Sequence, residues 1–450
     1  MKSSKILVAV FCLCAGAVTA QEKDGWKSLF NGKDLAGWEQ LNGKAKYEVK
    51  DNEIIGTTVT GEPNSFLATK VKYGDFILEV DLLVDNSMNS GIQIRSESND
   101  YMNGRVHGYQ VEVDPSDRAW SGGLYDEARR GWLYPLDINP KGQTAFKKEQ
   151  WNKYRIECIG SSIRTWVNGI PTANVVDNMT PSGFIALQVH AIYGDQKPGT
   201  QIRWRNIRIK TTGLKPSKND DIYVVNMLPN NLTSQERAQG YSLLWDGKTS
   251  KGWVGAYKTK FPATGWTIEN GELNVKESNG QESTNGGDIV TVKQYKAFEL
   301  EFDFKLTEGA NSGIKYFVTL AEHNKGSSIG LEYQVLDDEK HPDAKLGRNG
   351  NRTLGSLYDM IASKKDKNAV RKIGEWNRGL IRVYPNNKVE HWLNGIKVVE
   401  YIRGSKEFEA LVAISKYKDW KDFGIAPAGH ILIQDHGNRV SYRSIKIKQL

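Results

Sequence analysis

Cysteine is scarce in this sequence. There are three in 450 residues, and Cys12 and Cys14 both lie in the apolar N-terminal stretch. Cys158 is left without a partner for an internal disulfide. Its setting, Tyr154–Ile159, is an apolar strand pattern that suits a buried structural thiol rather than a nucleophile. Beyond the N-terminus no run approaches the ~20 apolar residues of a transmembrane helix, so no membrane span is expected. HExxH, paired CxxC, P-loop and GxSxG patterns are missing, which removes support for zincin, zinc-ribbon, NTPase and α/β-hydrolase chemistry. Clustered charge is missing too. The formal net charge is +8, of which Lys2 and Lys5 supply two, and bases are interspersed with acids. A nucleic-acid surface would gather its bases on one stripe; here the charge reads as a solubility trait and no nucleic-acid partner is expected.

What is present starts with a leader. Lys2 and Lys5, the apolar Ile6–Ala15 and the small-residue site Val18-Thr19-Ala20 predict a signal peptide over residues 1–20, and hence a secreted, periplasmic protein. A surface lipoprotein would need small residues just ahead of its cysteine, whereas Phe11 precedes Cys12 and Leu13 precedes Cys14.

The chain after the leader is written twice. Phe30-Asn31-Gly32-Lys33…Gly37-Trp38 returns as Trp245-Asp246-Gly247-Lys248…Gly252-Trp253. Asn89-Ser90-Gly91-Ile92 returns as Asn311-Ser312-Gly313-Ile314, Leu124-Tyr125-Asp126 as Leu357-Tyr358-Asp359, and Trp166-Val167-Asn168-Gly169 as Trp392-Leu393-Asn394-Gly395. Gln188-Val189-His190 returns as Gln434-Asp435-His436. The order is kept throughout, so each half is one domain of a single fold. Segments such as Phe76–Leu83, Gly91–Ser96, Tyr154–Ile159, Phe184–Val189 and Ile202–Lys210 are short, β-branched and of period two. Asn168-Gly169 and Asn394-Gly395 are hairpin dipeptides. An all-β protein of two tandem β-sandwiches or jelly rolls is predicted. The expected division is 21–212, a linker over 213–240, and 241–450. Thr233-Ser234-Gln235-Glu236 predicts a capping box opening a short helix in the linker.

Polar residues collect in Val106–Trp132. Asn89 to Asn311 is an offset of 222 (311 − 89), and Gly108 to Gly330 is the same (330 − 108). This gapless register pairs Gln110 with Glu332, Glu112 with Gln334 and Gln93 with Lys315. By alternation Gln93, Arg95, Gln110, Glu112, Gln188 and His190 share one polar face. A polar outer face is also what any antiparallel sheet shows to water, and Arg95 with Glu112 reads equally well as a structural ion pair. Arg118, Trp120, Tyr125, Asp126, Glu127, Arg130 and Trp132 follow in a loop whose rings and charges suit a sugar or anion. The second-half candidates are Lys315, Glu332, Gln334, Tyr358, Asp359 and His436.

These motifs carry a resemblance. LFNGKDLAGW, NSGIQIRS, HGYQVEVDPSDRAWSGGLYDEARRGWLYP and GFIALQVH, with LLWDGKTSKGW, GLEYQVLDDEKHPDA and GHILIQDHG in the second half, resemble the 3-keto-disaccharide hydrolase domain family. The resemblance implies a concanavalin A-like jelly roll in each half and cleavage of 3-keto-glycosides, by hydrolysis or elimination. A C3 ketone acidifies the C2 proton; a base removes it and the enolate expels the C1 substituent. His190 or Glu112 is the candidate base, Arg95 the electrostatic stabiliser, and Asp126 or Glu127 the acid. Two-carboxylate hydrolysis by Glu112 and Asp126 is the alternative chemistry. A divalent metal ion held by His and carboxylates fits such a site, although no ligand spacing is visible. A non-catalytic, lectin-like carbohydrate-binding protein and a surface scaffold remain as other readings. Oligomeric state is not legible.

Overall fold

The computed structural model describes residues 23–98, 105–324, 327–365 and 369–450. The expected leader lies outside them. Among the described residues no helix is long and apolar enough to cross a membrane.

The protein is built almost wholly of antiparallel sheet, as its period-two patterning predicts. The first half stacks a nine-stranded sheet on a seven-stranded one; the second stacks an eight-stranded sheet on a five-stranded one. The predicted strands form over Phe76–Val84, Ser90–Glu97, Asn152–Ile159, Phe184–Val189 and Gln201–Lys210. Asn168-Gly169 and Asn394-Gly395 take the positive φ of type I′ turns, 50° and 81°, and 50° and 83°. Alternate residues of facing sheets, including Leu78, Val80, Ile92, Val111, Ile156 and Trp204, fill the first core. Cys158 sits in it, and burial pushes its thiol up to about 12, which leaves it inert at neutral pH.

The gapless repeat register is observed. In the first half Gly91 pairs with Glu112 and Gln93 with Gln110. In the second, Gly313 pairs with Gln334 and Lys315 with Glu332. Both strands bulge at the same place: Arg95 and Phe317 have φ of 45° and 52° at matching positions. A bulge adds a residue on one side of the ladder and reverses the alternation beyond it.

The segment between the halves is packed rather than loose. Val225–Asn226 adds a parallel strand to Ile170–Val176. The helix Ser234–Ala238 opens with the Thr233–Glu236 capping box. Glu236 then reaches the second half, where Lys446 sits between Glu236 and Glu301. Arg378 donates to the Asn226 carbonyl and pairs with Asp303 at 2.9 Å. Neither Glu301 oxygen has a well-angled hydrogen bond, so neighbouring cations are its main compensation.

Candidate active site

The seven-stranded sheet of the first half turns its outer face into an open cleft of about 710 Å³. That lies within the roughly 300–1,000 Å³ common for small-molecule sites. Its floor is the strand His107–Val113. Gln110 and Glu112 point outward there, while Tyr109, Val111 and Val113 point into the core.

Glu112 is held by a directed chain of amides. Ser96 Oγ donates to Gln93 Oε1 at 2.7 Å, Gln93 Nε2 to Gln110 Oε1 at 2.8 Å, and Gln110 Nε2 to Glu112 Oε2 at 3.3 Å. Asn89 Nδ2 donates to Glu112 Oε1 at 2.6 Å. Arg118 approaches Glu112 at 3.6 Å and pairs more closely with Asp114, at 2.8 Å. Burial outweighs these partners and raises the Glu112 carboxyl to about 7. Room for the Gln110 amide comes from Gly91, where a Cβ would stand 2.5 Å from Gln110 Cδ. Gly91→Ala is therefore expected to displace Gln110 and lower stability by about 1–3 kcal/mol, read by chemical denaturation.

His190 follows the strand Phe184–Val189 and reaches the same cleft, half-buried. Its Nδ1 lies 2.6 Å from the Ala191 carbonyl and must donate to it. The neutral ring then leaves Nε2 as a free base, and burial lowers the ring's pKa, which favours that neutral form. Tyr125 and Trp132 line the wall, with ring centroids 5.1 Å apart. Arg118 spreads over the Trp120 and Trp132 rings at 4.4 and 5.1 Å.

Several sequence candidates stand elsewhere. Arg95 is not on the polar face. Its bulge turns it the other way, where the guanidinium donates to the Gly74 and Gly160 carbonyls at 2.8 Å and to Asp75 at 3.0 Å. Other cations, Arg105 and Arg118 among them, line the cleft instead. Asp126 also faces away. It pairs with Tyr109 across the ladder, and Arg129 and Arg130 occupy both its oxygens at 2.8 and 2.5 Å. Glu112 and Asp126 therefore do not form a two-carboxylate pair. Glu127, the next residue and on the outer face, lines the cleft beside Arg105 at 3.5 Å; burial raises its pKa. Glu127 sits opposite Gly108, four positions along the strand from Glu112. At ~3.4 Å per residue their backbones stand about 14 Å apart along the strand direction, so the two side chains are not neighbours on the sheet. Trp120 is buried behind Trp132 and donates to Asp137 at 2.9 Å. Arg130 reaches the cleft while bracing Asp126 and Asp177. Gln93 is a buried link in the amide chain. Gln188 is fully buried with no hydrogen-bond partner for its amide among the described residues.

Asn64, Asn89, Arg105, Tyr193 and Arg371 line the cleft without having been singled out from the sequence, and Arg129 of the Val106–Trp132 loop joins them. Asn89 carried a signal, since it opens a motif repeated at Asn311. Arg371 carried none, because it comes from the other half of the chain.

The second half keeps the scaffold and fills the site. Gln334 Nε2 donates to Asn311 Oδ1 at 3.1 Å, the Asn89–Glu112 contact with its roles reversed. Glu332 lies over Gly313 as Gln110 lies over Gly91. Glu332 is buried with a raised pKa, opposed by the charges of Lys315 and Lys416. Asp359 is bound by Arg352 at 2.8 Å and by the Lys416 backbone at 2.7 Å, and Tyr358 donates to Asp343 at 2.8 Å. His436 packs its ring 5.7 Å from His341. The remaining cavity, lined by Lys315, Lys416, Trp420 and Gln434, holds about 230 Å³. Among the described residues no three His, Cys, Asp or Glu side chains are grouped as metal ligands.

A β-sandwich with an open cleft of rings, carboxylate and imidazole has the apolar faces and the polar groups that a small-molecule site needs. Comparison with known proteins narrows the class. The chain belongs to the 3-keto-alpha-glucoside-1,2-lyase-like domain family, whose profile matches residues 25–210 and again 240–448. It is 38% identical over 234 residues to a protein of Bacteroides thetaiotaomicron named 3-keto-disaccharide hydrolase, spanning 47% of this chain and 79% of that one. A crystal structure of a candidate glycosyl hydrolase from Parabacteroides distasonis is 33% identical, covering 49% of this chain and 99% of that one, with a TM-score of 0.43. A carbohydrate-binding module from Bacillus subtilis is 14% identical, covering 39% and 95%, with a TM-score of 0.26. The protein is a glycoside-hydrolase-like, carbohydrate-active enzyme.

Proposed function

We propose that the first-half cleft cleaves 3-keto-glycosides by removing the C2 proton and expelling the C1 substituent. The observation that carries this reading is the pairing of opposite protonation states in one cleft: His190 is held neutral and Glu112 is held near neutrality by burial. His190 Nε2 takes the C2 proton, and the C2–H electron pair moves into a C2–C3 enolate. Arg118, beside Glu112 and half-exposed to the cleft, stabilises the developing oxyanion at C3. The C1–O bond then breaks as Glu112 gives its proton to the departing oxygen, leaving a 2-hydroxy-3-keto-glycal and the freed sugar. Water added across C1–C2 completes net hydrolysis. Tyr125 and Trp132 offer their rings to the sugar face. The leader pattern supports a periplasmic setting for this reaction.

The test is incubation of the purified protein with a 3-keto-disaccharide, following release of free sugar. Release by the wild type, falling about 10²–10⁴-fold in His190→Ala, is the expected result. Absence of release, with or without divalent metal ions, would end the reading. The pH profile is the second check. His190 must be neutral, so the rate falls on the acid side below 6.5; Glu112 must be protonated, so it falls on the alkaline side from about 7. A bell is expected in kcat/KM, with its alkaline limb from about 7 and its acid limb below the ordinary histidine range.

A further inference from the structure

The wall of the cleft opposite the catalytic strand comes from the second half. Arg371 and Lys372 line it, together with Glu375. Arg371 is the unusual member. Its backbone is anchored to Asn377 Oδ1 at 2.9 Å, and its guanidinium crosses to the first half and donates to the Trp132 carbonyl. The other arginines of the cleft are neutralised: Arg105 by Glu127, Arg118 by Asp114, and Arg129 and Arg130 by Asp126. No carboxylate pairs with Arg371 among the described residues. Burial is the main cost to its charge and Arg130 stands close enough to add repulsion, while Asp126 and Glu375 offset part of this from beyond ion-pair distance. Gly131 gives it space, since a Cβ there would stand 3.1 Å from Nη1.

A half-buried guanidinium that faces another cation, and that no carboxylate pairs with among the described residues, is a recognition group awaiting its partner. We infer that Arg371 binds an anionic substituent of the sugar, a carboxylate or a sulfate ester, so that the cleft selects acidic glycosides and is complete only when both halves are present. This inference deepens the proposed reading and rests on it only for the sugar nature of the ligand. Arg371 is a specificity group, not a catalytic one. The second half therefore contributes a side chain to the first half's cleft as well as bracing it.

The test is calorimetric binding of three unoxidised disaccharides to the full chain: a neutral one, one with a glucuronate residue and one with a sulfate ester. At low salt the wild type is expected to bind at least one acidic ligand about tenfold more tightly than the neutral one. That preference is expected to shrink as salt is raised. Whichever acidic ligand is preferred identifies the anion. Arg371→Gln removes the charge and keeps a polar side chain at that place, so it is expected to erase the preference for the acidic ligand. Failure of both acidic ligands to bind more tightly than the neutral one overturns the inference on the wild type alone, whatever the variant does. So does a preference that survives in folded Arg371→Gln. None of these ligands is a ketone, so the result is independent of whether C2 chemistry occurs.

Discussion

Glu112→Gln is expected to lower kcat/KM on a 3-keto-disaccharide by about 10³-fold, the middle of the range for a lost general acid. The amide keeps the volume, can accept from Gln110 and, once the Asn89 amide turns over, can donate to it as Gln334 donates to Asn311, so the fold should persist. Stability gives an independent readout. Burial raises Glu112 from 4.5 to about 7, so the native state holds this proton more tightly than the unfolded chain does. The stability linked to that proton is fully present below about 4.5 and is lost as the pH rises through 7. The loss is roughly 3 kcal/mol. Gln does not titrate, so the variant should gain on the wild type by about that amount between pH 4 and pH 8 in chemical denaturation. Equal pH dependence in the two proteins would mean that Glu112 is not buried in this way.

Lys446→Ala is expected to destabilise the protein by about 3–5 kcal/mol, the usual cost of leaving buried charge without its partner. Lys446 is 2% exposed and lies between Glu236 of the linker helix and Glu301 of the second half. Its removal strands both carboxylates, and Arg378, itself tied to Asp303 and the Asn226 carbonyl, cannot cover both. The linker strand Val225–Asn226 and the helix Ser234–Ala238 are then expected to lose amide-exchange protection before the sheets do. Substituting Lys446, Glu236 and Glu301 together with apolar residues should recover most of the loss, because no buried charge then remains unpaired.

How much of this was legible in the sequence depends on the range of the interaction. Alternation and Asn-Gly turns are local, and the strands and hairpins follow from them. The repeat extended that reach, and its gapless offset matched Gln93 to Lys315 and Gln110 to Glu332, which the structure sets at equivalent places in the two ladders. Arg95 was misplaced because alternation was carried through a bulge. The repeat held the correction, since the same offset sets Arg95 against Phe317, a residue with no place on a polar face. Asp126 was misplaced against its own period: Tyr125 and Glu127 share the outer face, so Asp126 must point inward. Arg371 was out of reach, because no local pattern ties it to first-half cleft residues that lie 178 (371 − 193) to 307 (371 − 64) positions earlier. The density of Val106–Trp132 also divides in the structure. Gln110, Glu112, Tyr125, Glu127 and Trp132 meet the cleft, while Asp114, Trp120 and Asp126 hold it in shape.

The measurement that bears most directly on the account is turnover of a 3-keto-disaccharide in D₂O, with mass analysis of the released 3-keto sugar. Proton removal at C2 followed by addition of water predicts one deuterium at C2 in the product, formed by the wild type and lost with turnover in His190→Ala. Release of sugar with C2 still fully protiated would contradict the account, because the C1–O bond would then have been cut without the enolate.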